Sequence, residues 1–118
     1  LVLFSTLNSA GTLMAVAASV ILEDGWDYEV CVIAHAAVYG NVAGASQSII
    51  GIDFAGTPQN SGILLANYQQ YTQHTIIERR VMTGDGTVKT MTLRFTWVNG
   101  STFYRWGQVL VIAVPRIP

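Results

Sequence analysis

The cleanest alternation of hydrophobic and polar positions runs from Lys89 to Trp97. Met91, Leu93, Phe95 and Trp97 fall on one side of an extended chain with Lys89, while Thr90, Thr92, Arg94 and Thr96 fall on the other. Successive side chains of a strand point to opposite faces. Four large apolar side chains on one side therefore predict a buried sheet face, and the Thr/Arg side predicts water or a polar partner. The stretch Ile76–Val114 as a whole reads as three consecutive antiparallel strands, Ile76–Thr83, Thr87–Val98 and Thr102–Val114. Thr83-Gly84-Asp85-Gly86-Thr87 supplies the first turn and Asn99-Gly100 the second. Asn-Gly between patterned runs signals a two-residue hairpin, because a type I′ turn needs positive φ at both central residues.

The first half of the chain patterns similarly. Leu1–Thr6 predicts a short strand, followed by a turn at Asn8–Gly11. Leu13–Leu22 is apolar throughout. It reads as a strand rather than a buried helix, because Glu23-Asp24-Gly25 then makes a hairpin loop to Trp26–Tyr39. In that next run Trp26, Tyr28, Val30 and Val32 share one side, and Asp27, Glu29, Cys31 and Ile33 the other. Ala34, Ala36 and Ala37 then predict that a neighbour approaches closely. Gly40–Gln47 reads as a loop, Ser48–Phe54 as a strand with a bulge at Gly51, Ala55–Gly62 as a loop and Ile63–Tyr68 as a short strand. The last strand is apolar on both sides until Pro115 stops it. About eight strands with Gly-rich turns and no helix predict an all-β, antiparallel two-sheet sandwich of jelly-roll type. A length of 118 residues predicts a single domain over residues 1–118. The start at Leu1 rather than Met predicts a C-terminal part or ordered piece of a longer chain.

Composition sharpens this picture in one respect. Hydrophobic residues make up 51% of the chain and charged residues 11%, where about 25% charged is ordinary. Leu13–Leu22 and Gln108–Val114 are apolar on both sides, so one side meets the core and the other needs cover. A homo-oligomer, most simply a trimer, is the expected cover. The net charge of −1 excludes a global field for nucleic acid or an acidic membrane. Charge is nevertheless segregated. Every charge up to Asp53 is acidic, whereas from Glu78 on six bases face two acids. Pairing between the halves is one expectation, and scattered surface charge is the other. No apolar run reaches the roughly 18 residues of a membrane span.

Candidate chemistry is sparse. His35 and His74 have no partner at metal-binding spacing, which predicts a satisfied or interface role for the first and a surface role for the second. The single Cys31 predicts a buried, inert thiol. Thr83–Thr87 lacks the helix and lysine of a phosphate loop and the carboxylates of a calcium loop. Asn99-Gly100-Ser101 fits a glycosylation acceptor, but a tight turn accounts for more of its surroundings. Asp27 and Glu29 lie about 7 Å apart on a strand, and surface solvation, or an ion pair with Arg79 or Arg80, is expected of them rather than catalysis. No nucleophile elbow or Cys/His pair is present. The expectation is a non-enzyme without cofactor or metal. Tyr104 and Trp106 share a strand side with Arg105 opposite; the side is read as core, with an aromatic platform for a sugar or peptide as the alternative.

The lysine-poor, Thr/Gln/Asn/Gly-rich chain ends in Tyr-Arg-Trp-Gly-Gln-Val-Leu-Val-Ile-Ala-Val, residues 104–114. In this texture it resembles the tip or knob domains of bacteriophage tail fibres and tail needles, and the trimeric jelly rolls related to the tumour-necrosis-factor and complement C1q folds. The resemblance implies a trimer with the C-terminal strand near its axis. It also implies a virion or extracellular location, and attachment to a host glycan or protein receptor without nucleic acid or membrane insertion. Capsid decoration and a free carbohydrate-binding module are the alternative functions. Uncharged loops, Gly40–Gln47, Ala55–Gly62 and Asn99–Thr102, are expected to form the ligand surface at one end. Asn60, Tyr104 and Arg105 are the candidate ligand-binding residues, with Arg105 the counter-ion for any anionic ligand.

Overall fold

The computed structural model describes residues 2–10, 15–40, 46–57, 60–66, 71–99 and 103–116. In chain order the strands are β1 (Val2–Ala10), β2 (Ala15–Ile21), β3 (Asp27–Gly40), β4 (Ser46–Phe54), β5 (Asn60–Ala66), β6 (Tyr71–Thr83), β7 (Val88–Asn99) and β8 (Phe103–Pro115). They form two antiparallel four-stranded sheets, ordered β1-β8-β3-β6 and β2-β7-β4-β5. First pairs with last, second with seventh, third with sixth and fourth with fifth. That is the pairing of one long hairpin ribbon rolled into a sandwich, the jelly-roll arrangement.

The alternation in β7 holds. Met91, Leu93 and Phe95 are fully buried, while Thr92 and Arg94 face outward and remain partly exposed. Trp97 falls outside the described side chains. In β2, Val16, Ala18 and Val20 are buried and Ala15, Ala17, Ser19 and Ile21 exposed. In β3, Tyr28, Val30, Val32, Ala34, Ala36 and Val38 face the core. The small residues do admit a close neighbour. Ala36 lies beside Gly107 of β8. A Cβ built on Gly107 would lie 2.8 Å from Val16 Cγ2 and 3.0 Å from Leu93 Cδ2. The side chains of the second sheet thus fill a hollow in the first. Gly51 sits at a register shift of the β4–β5 ladder, as its lack of a side chain suggests.

The order of the last three strands departs from the sequence reading. They are not a meander, because β6 and β8 both flank β3 in the first sheet while β7 lies in the second. Periodicity finds strands and faces, but a connection that returns beside its own strand looks locally like one that crosses between sheets. Glu23–Gly25 likewise crosses from β2 in one sheet to β3 in the other. Asn99 ends β7 in the second sheet and Phe103 opens β8 in the first, so β7 and β8 do not pair as a hairpin; residues 100–102, on which the expected Asn-Gly turn falls, lie outside those described. The hairpin turn sits elsewhere, at Ala55-Gly56. Ala55 and Gly56 have φ of 49° and 96°. Phe54 N donates to Thr57 O at 3.1 Å, and Thr57 N to Phe54 O at 3.0 Å. Both positive φ values match a type I′ turn.

Two crossings lock together at the end of the sandwich that carries this turn. Gly84 N donates to Trp26 O at 2.8 Å, and Gly86 N to Leu22 O at 2.9 Å. Gly84 is pressed so closely on the Glu23 carbonyl that a Cβ there has no room. Asp85 Oδ1 accepts from Thr87 N at 3.0 Å and from Thr87 Oγ1 at 2.6 Å, and Lys89 Nζ donates to Asp85 Oδ2 at 3.0 Å. The Thr87 hydroxyl above all, then its amide, holds the Asp85 carboxyl well below the usual carboxylate range.

Candidate functional site

The outer faces of the two sheets carry different sets of side chains. On the first, the outward positions of β3, β6 and β8 fall in register as rows. Ile33 lies between Ile77 and Leu110, and Cys31 between Arg79 and Ile112. Glu29 lies between Val81 and Val114 in the same way. Ile77, Val81 and Val114 are 58%, 50% and 45% exposed, and Leu110 and Ile112 are half-buried. The apolar character continues toward the far end as an aromatic cluster. The Tyr39 and Tyr71 rings lie 4.7 Å apart, and the Tyr71 and Trp106 rings 5.5 Å apart. Two pairs of polar groups on this face are joined. His35 Nδ1 and Thr75 Oγ1 share a hydrogen bond at 3.0 Å, and Arg116 Nε meets Glu29 Oε1 at 3.4 Å.

The outer face of the second sheet mixes apolar and polar positions: Ala15, Ala17, Ile21 and Val88 are exposed beside Ser19, Thr90, Thr92 and Arg94. Ser19 and Thr90 hydroxyls hydrogen-bond at 2.9 Å, and Arg94 Nη1 donates to Asp53 Oδ2 at 3.3 Å. Asp53 sits opposite Thr92. A depression of about 360 Å³ opens beside the hairpin turn, lined by Asp53, Ala55, Gly56, Val88, Lys89, Thr90 and Thr92. Asp53 Oδ1 is buried and has no hydrogen-bond partner.

Several sequence expectations need correcting. Cys31 is not buried. It is half-exposed on the apolar face, in a depression of about 330 Å³ with Glu29, Arg79, Ile112 and Val114. The partners seen for Asp27 and Glu29 lie elsewhere on the chain. Asp27 accepts from the Thr83 hydroxyl at 2.7 Å, and Glu29 takes Arg116. Arg80 instead covers the Phe54 ring at 4.7 Å, where its charge meets the negative ring face. The pairing of acidic and basic halves is realised within the chain by Asp53–Arg94 and Glu29–Arg116.

The candidate ligand residues are not brought together. Asn60 opens β5 in the second sheet, opposite Gly51. Tyr104 and Arg105 belong to β8 in the first sheet, opposite Tyr39 and Val38; all three side chains lie outside the described ones. Nor do the three uncharged segments share an end. Gly40 and Ser46, which bracket residues 41–45, and Asn99 and Phe103, which bracket residues 100–102, lie at one end of a molecule 54 Å long, and the Ala55-Gly56 turn lies at the other. Gly40, Ser46 and Gln47 of the first segment, and Asn60–Gly62 of the second, are in strands rather than loops. Sequence reasoning missed Tyr39, which meets Tyr71, and Tyr71, which meets Trp106, contacts made only through the β3–β6–β8 register. It also missed Asp53, whose signal was a lone acid in the apolar run Ile49–Phe54.

Among the described residues no three His, Cys, Asp or Glu side chains gather where they could hold a metal ion, and no helix is long and apolar enough to cross a membrane. Neither a protein-family model nor a curated protein matches the chain.

Proposed function

We propose that this chain is a non-enzymatic virion attachment domain, a homotrimer forming the tip of a fibre or needle that binds the host cell surface. The observation that carries the assembly is the outer face of the first sheet. Ile33, Ile77, Val81, Leu110, Ile112 and Val114 lie there, with Cys31, Glu29 and Arg79 among them. Exposed apolar side chains grouped in this way mark an interface. Covering them with further copies removes them from water, at roughly 25 cal/mol per Å² buried. The second sheet, with its Ser19–Thr90 and Asp53–Arg94 pairs, then faces outward, available to a ligand. The attachment role itself is supported by the lysine-poor, Thr/Gln/Asn-rich texture and by the rolled eight-strand topology. Three weak sites on one rigid trimer reinforce each other through effective concentration.

Molar mass by light scattering at micromolar concentration tests the assembly, and a cell-binding assay tests the role. The wild type is expected at three times the chain mass. Ile77→Glu, exposed in the single chain, is expected to yield a folded monomer, whereas Val111→Glu, fully buried, is expected to unfold. A wild-type monomer refutes the trimer. A trimer that binds phage heads and ignores cells refutes attachment and establishes decoration.

A further inference from the structure

We propose that the depression beside the Ala55-Gly56 turn is a binding site for a neutral saccharide ring. This deepens the attachment reading by giving it a ligand class and a place. Three features of the depression select that chemistry. The first is hydrogen-bonding demand. Asp53 lines the depression, and its Oδ1 is buried with no donor. A buried acceptor left unmatched is costly, and a turn of the carboxylate that brings Oδ1 to the depression would let an incoming N–H or O–H satisfy it. Thr90 and Thr92 add hydroxyls that both donate and accept.

The second feature is charge. Each charged group of the lining already has its counter-charge, Asp53 with Arg94 and Lys89 with Asp85. The lining offers no unmatched charge to an anion or a cation, which points to a neutral ligand. The third is shape and apolar surface. The volume of about 360 Å³ lies within the range of about 300–1,000 Å³ typical of small-ligand sites. Val88, 60% exposed, and Ala55 give its wall an apolar part against which the C–H face of a sugar ring can rest. The second sheet is also the one whose outer face a trimer built through the first sheet leaves open. The depression around Cys31, by contrast, lies on the face that assembly covers.

The test is an NMR titration of the isotope-labelled protein in its native assembly with glucose, galactose and N-acetylglucosamine. N-acetylneuraminic acid serves as the anionic comparison. Saturable shifts of the Asp53, Gly56, Thr90 and Thr92 amides are expected with at least one neutral sugar, while the amides of Cys31 and Ile112 stay still. Asp53→Asn keeps the side-chain shape and weakens the acceptor, and Thr92→Val removes one hydroxyl. Each is expected to weaken that binding about tenfold, the scale of one lost hydrogen bond to a charged or polar group. The proposal is overturned if no neutral sugar moves those amides, if only the anionic sugar does, or if Asp53→Asn binds as tightly as wild type. Cell binding separates this from the attachment reading. A trimer that binds cells equally well with Asp53→Asn keeps attachment and loses this site. Saturable sugar shifts in a protein that ignores cells keep the site and lose attachment.

Discussion

Adding one methyl group at position 107 tests how the two sheets interlock. Gly107 is buried in β8, and its φ is not positive, so alanine fits the backbone there. The space does not fit. The new Cβ would stand 2.8 Å from Val16 Cγ2, 3.0 Å from Leu93 Cδ2 and 3.5 Å from Phe95 Cε2. Those three side chains are themselves buried to 2% exposure or less, so none can swing into solvent. Overpacking of this kind costs about 1–3 kcal/mol. Against it stands a gain of about 0.4–1 kcal/mol, because alanine has fewer unfolded conformations to lose than glycine. The balance for Gly107→Ala is a net loss of about 1–2 kcal/mol, and Gly107→Val is expected to lose more.

Thermal unfolding of wild type and variant, at one protein concentration so that any assembly contributes equally, reads this as a Tm lower by several degrees. A loss of 1 kcal/mol corresponds to a shift of about 4 °C at this size. The structure also specifies a rescue. Leu93→Val removes the group nearest the new methyl on β7, so Gly107→Ala should cost much less in that background than in wild type. A double-mutant cycle reports the coupling, expected at about 0.5–3 kcal/mol in favour of the pair. The interlock is refuted if Gly107→Ala stabilises the protein, or if the two substitutions are additive.

Other perturbations probe the rest of the frame. Phe95→Ala, at a fully buried site, should cost about 3–5 kcal/mol in denaturant unfolding, while Thr92→Ala on the outer face should change little; comparable losses at both would show the β7 register to be wrong. Ala55 holds a left-handed conformation that costs a side-chain-bearing residue about 1–2 kcal/mol. Ala55→Asn, which makes the favoured Asn-Gly type I′ turn, should therefore raise stability by about 0.5–1 kcal/mol, measured as an upward shift in Tm. The Asp85 carboxyl is depressed in the folded state from its ordinary value of 3.8. Its contribution is thus present above that value and lost as pH falls through the folded one. The Tm deficit of Asp85→Asn should be full at neutral pH and shrink on acidification below about pH 4, the ordinary carboxylate range; a deficit that does not change with pH would remove the charge from the account.

Faces were legible in the sequence wherever alternation was strict. Met91, Leu93 and Phe95 in β7, and Tyr28, Val30 and Val32 in β3, are buried as period-two patterning requires. What patterning could not supply was the partner of each strand. The chain between β6 and β7 has four residues and two glycines whether it turns back in one sheet or crosses to the other. Only the mutual hydrogen bonds with the Leu22–Trp26 crossing distinguish the two. Trp26 shows a related limit. It has the inward parity of Tyr28 but lies before β3 begins, and it is 43% exposed. The candidate site suffered most from this limit, because Asp53, Arg94 and the Ala55-Gly56 turn converge only through the β4–β7 register and a turn type that the dipeptide Ala-Gly does not advertise.

The segregation of charge along the chain follows from the same topology. A rolled ribbon places each residue of the first half beside one of the second, since β1 meets β8, β2 meets β7 and β3 meets β6. If acids and bases were mixed in both halves, like charges would meet across the ladders, which is destabilising for directly opposed pairs. With acids early and bases late, cross-strand and end contacts become complementary, as at Asp53–Arg94 and Glu29–Arg116. Each such surface pair is worth little, about 0–1 kcal/mol. Their effect lies in register rather than in stability. A one-residue slip of β7 against β4 would turn Arg94 toward the core and Leu93 to water, so the ion pair and the buried face select the same alignment. The second sheet is thereby held in one register, and that register sets Asp53, Thr92 and the β4–β5 turn around a single depression.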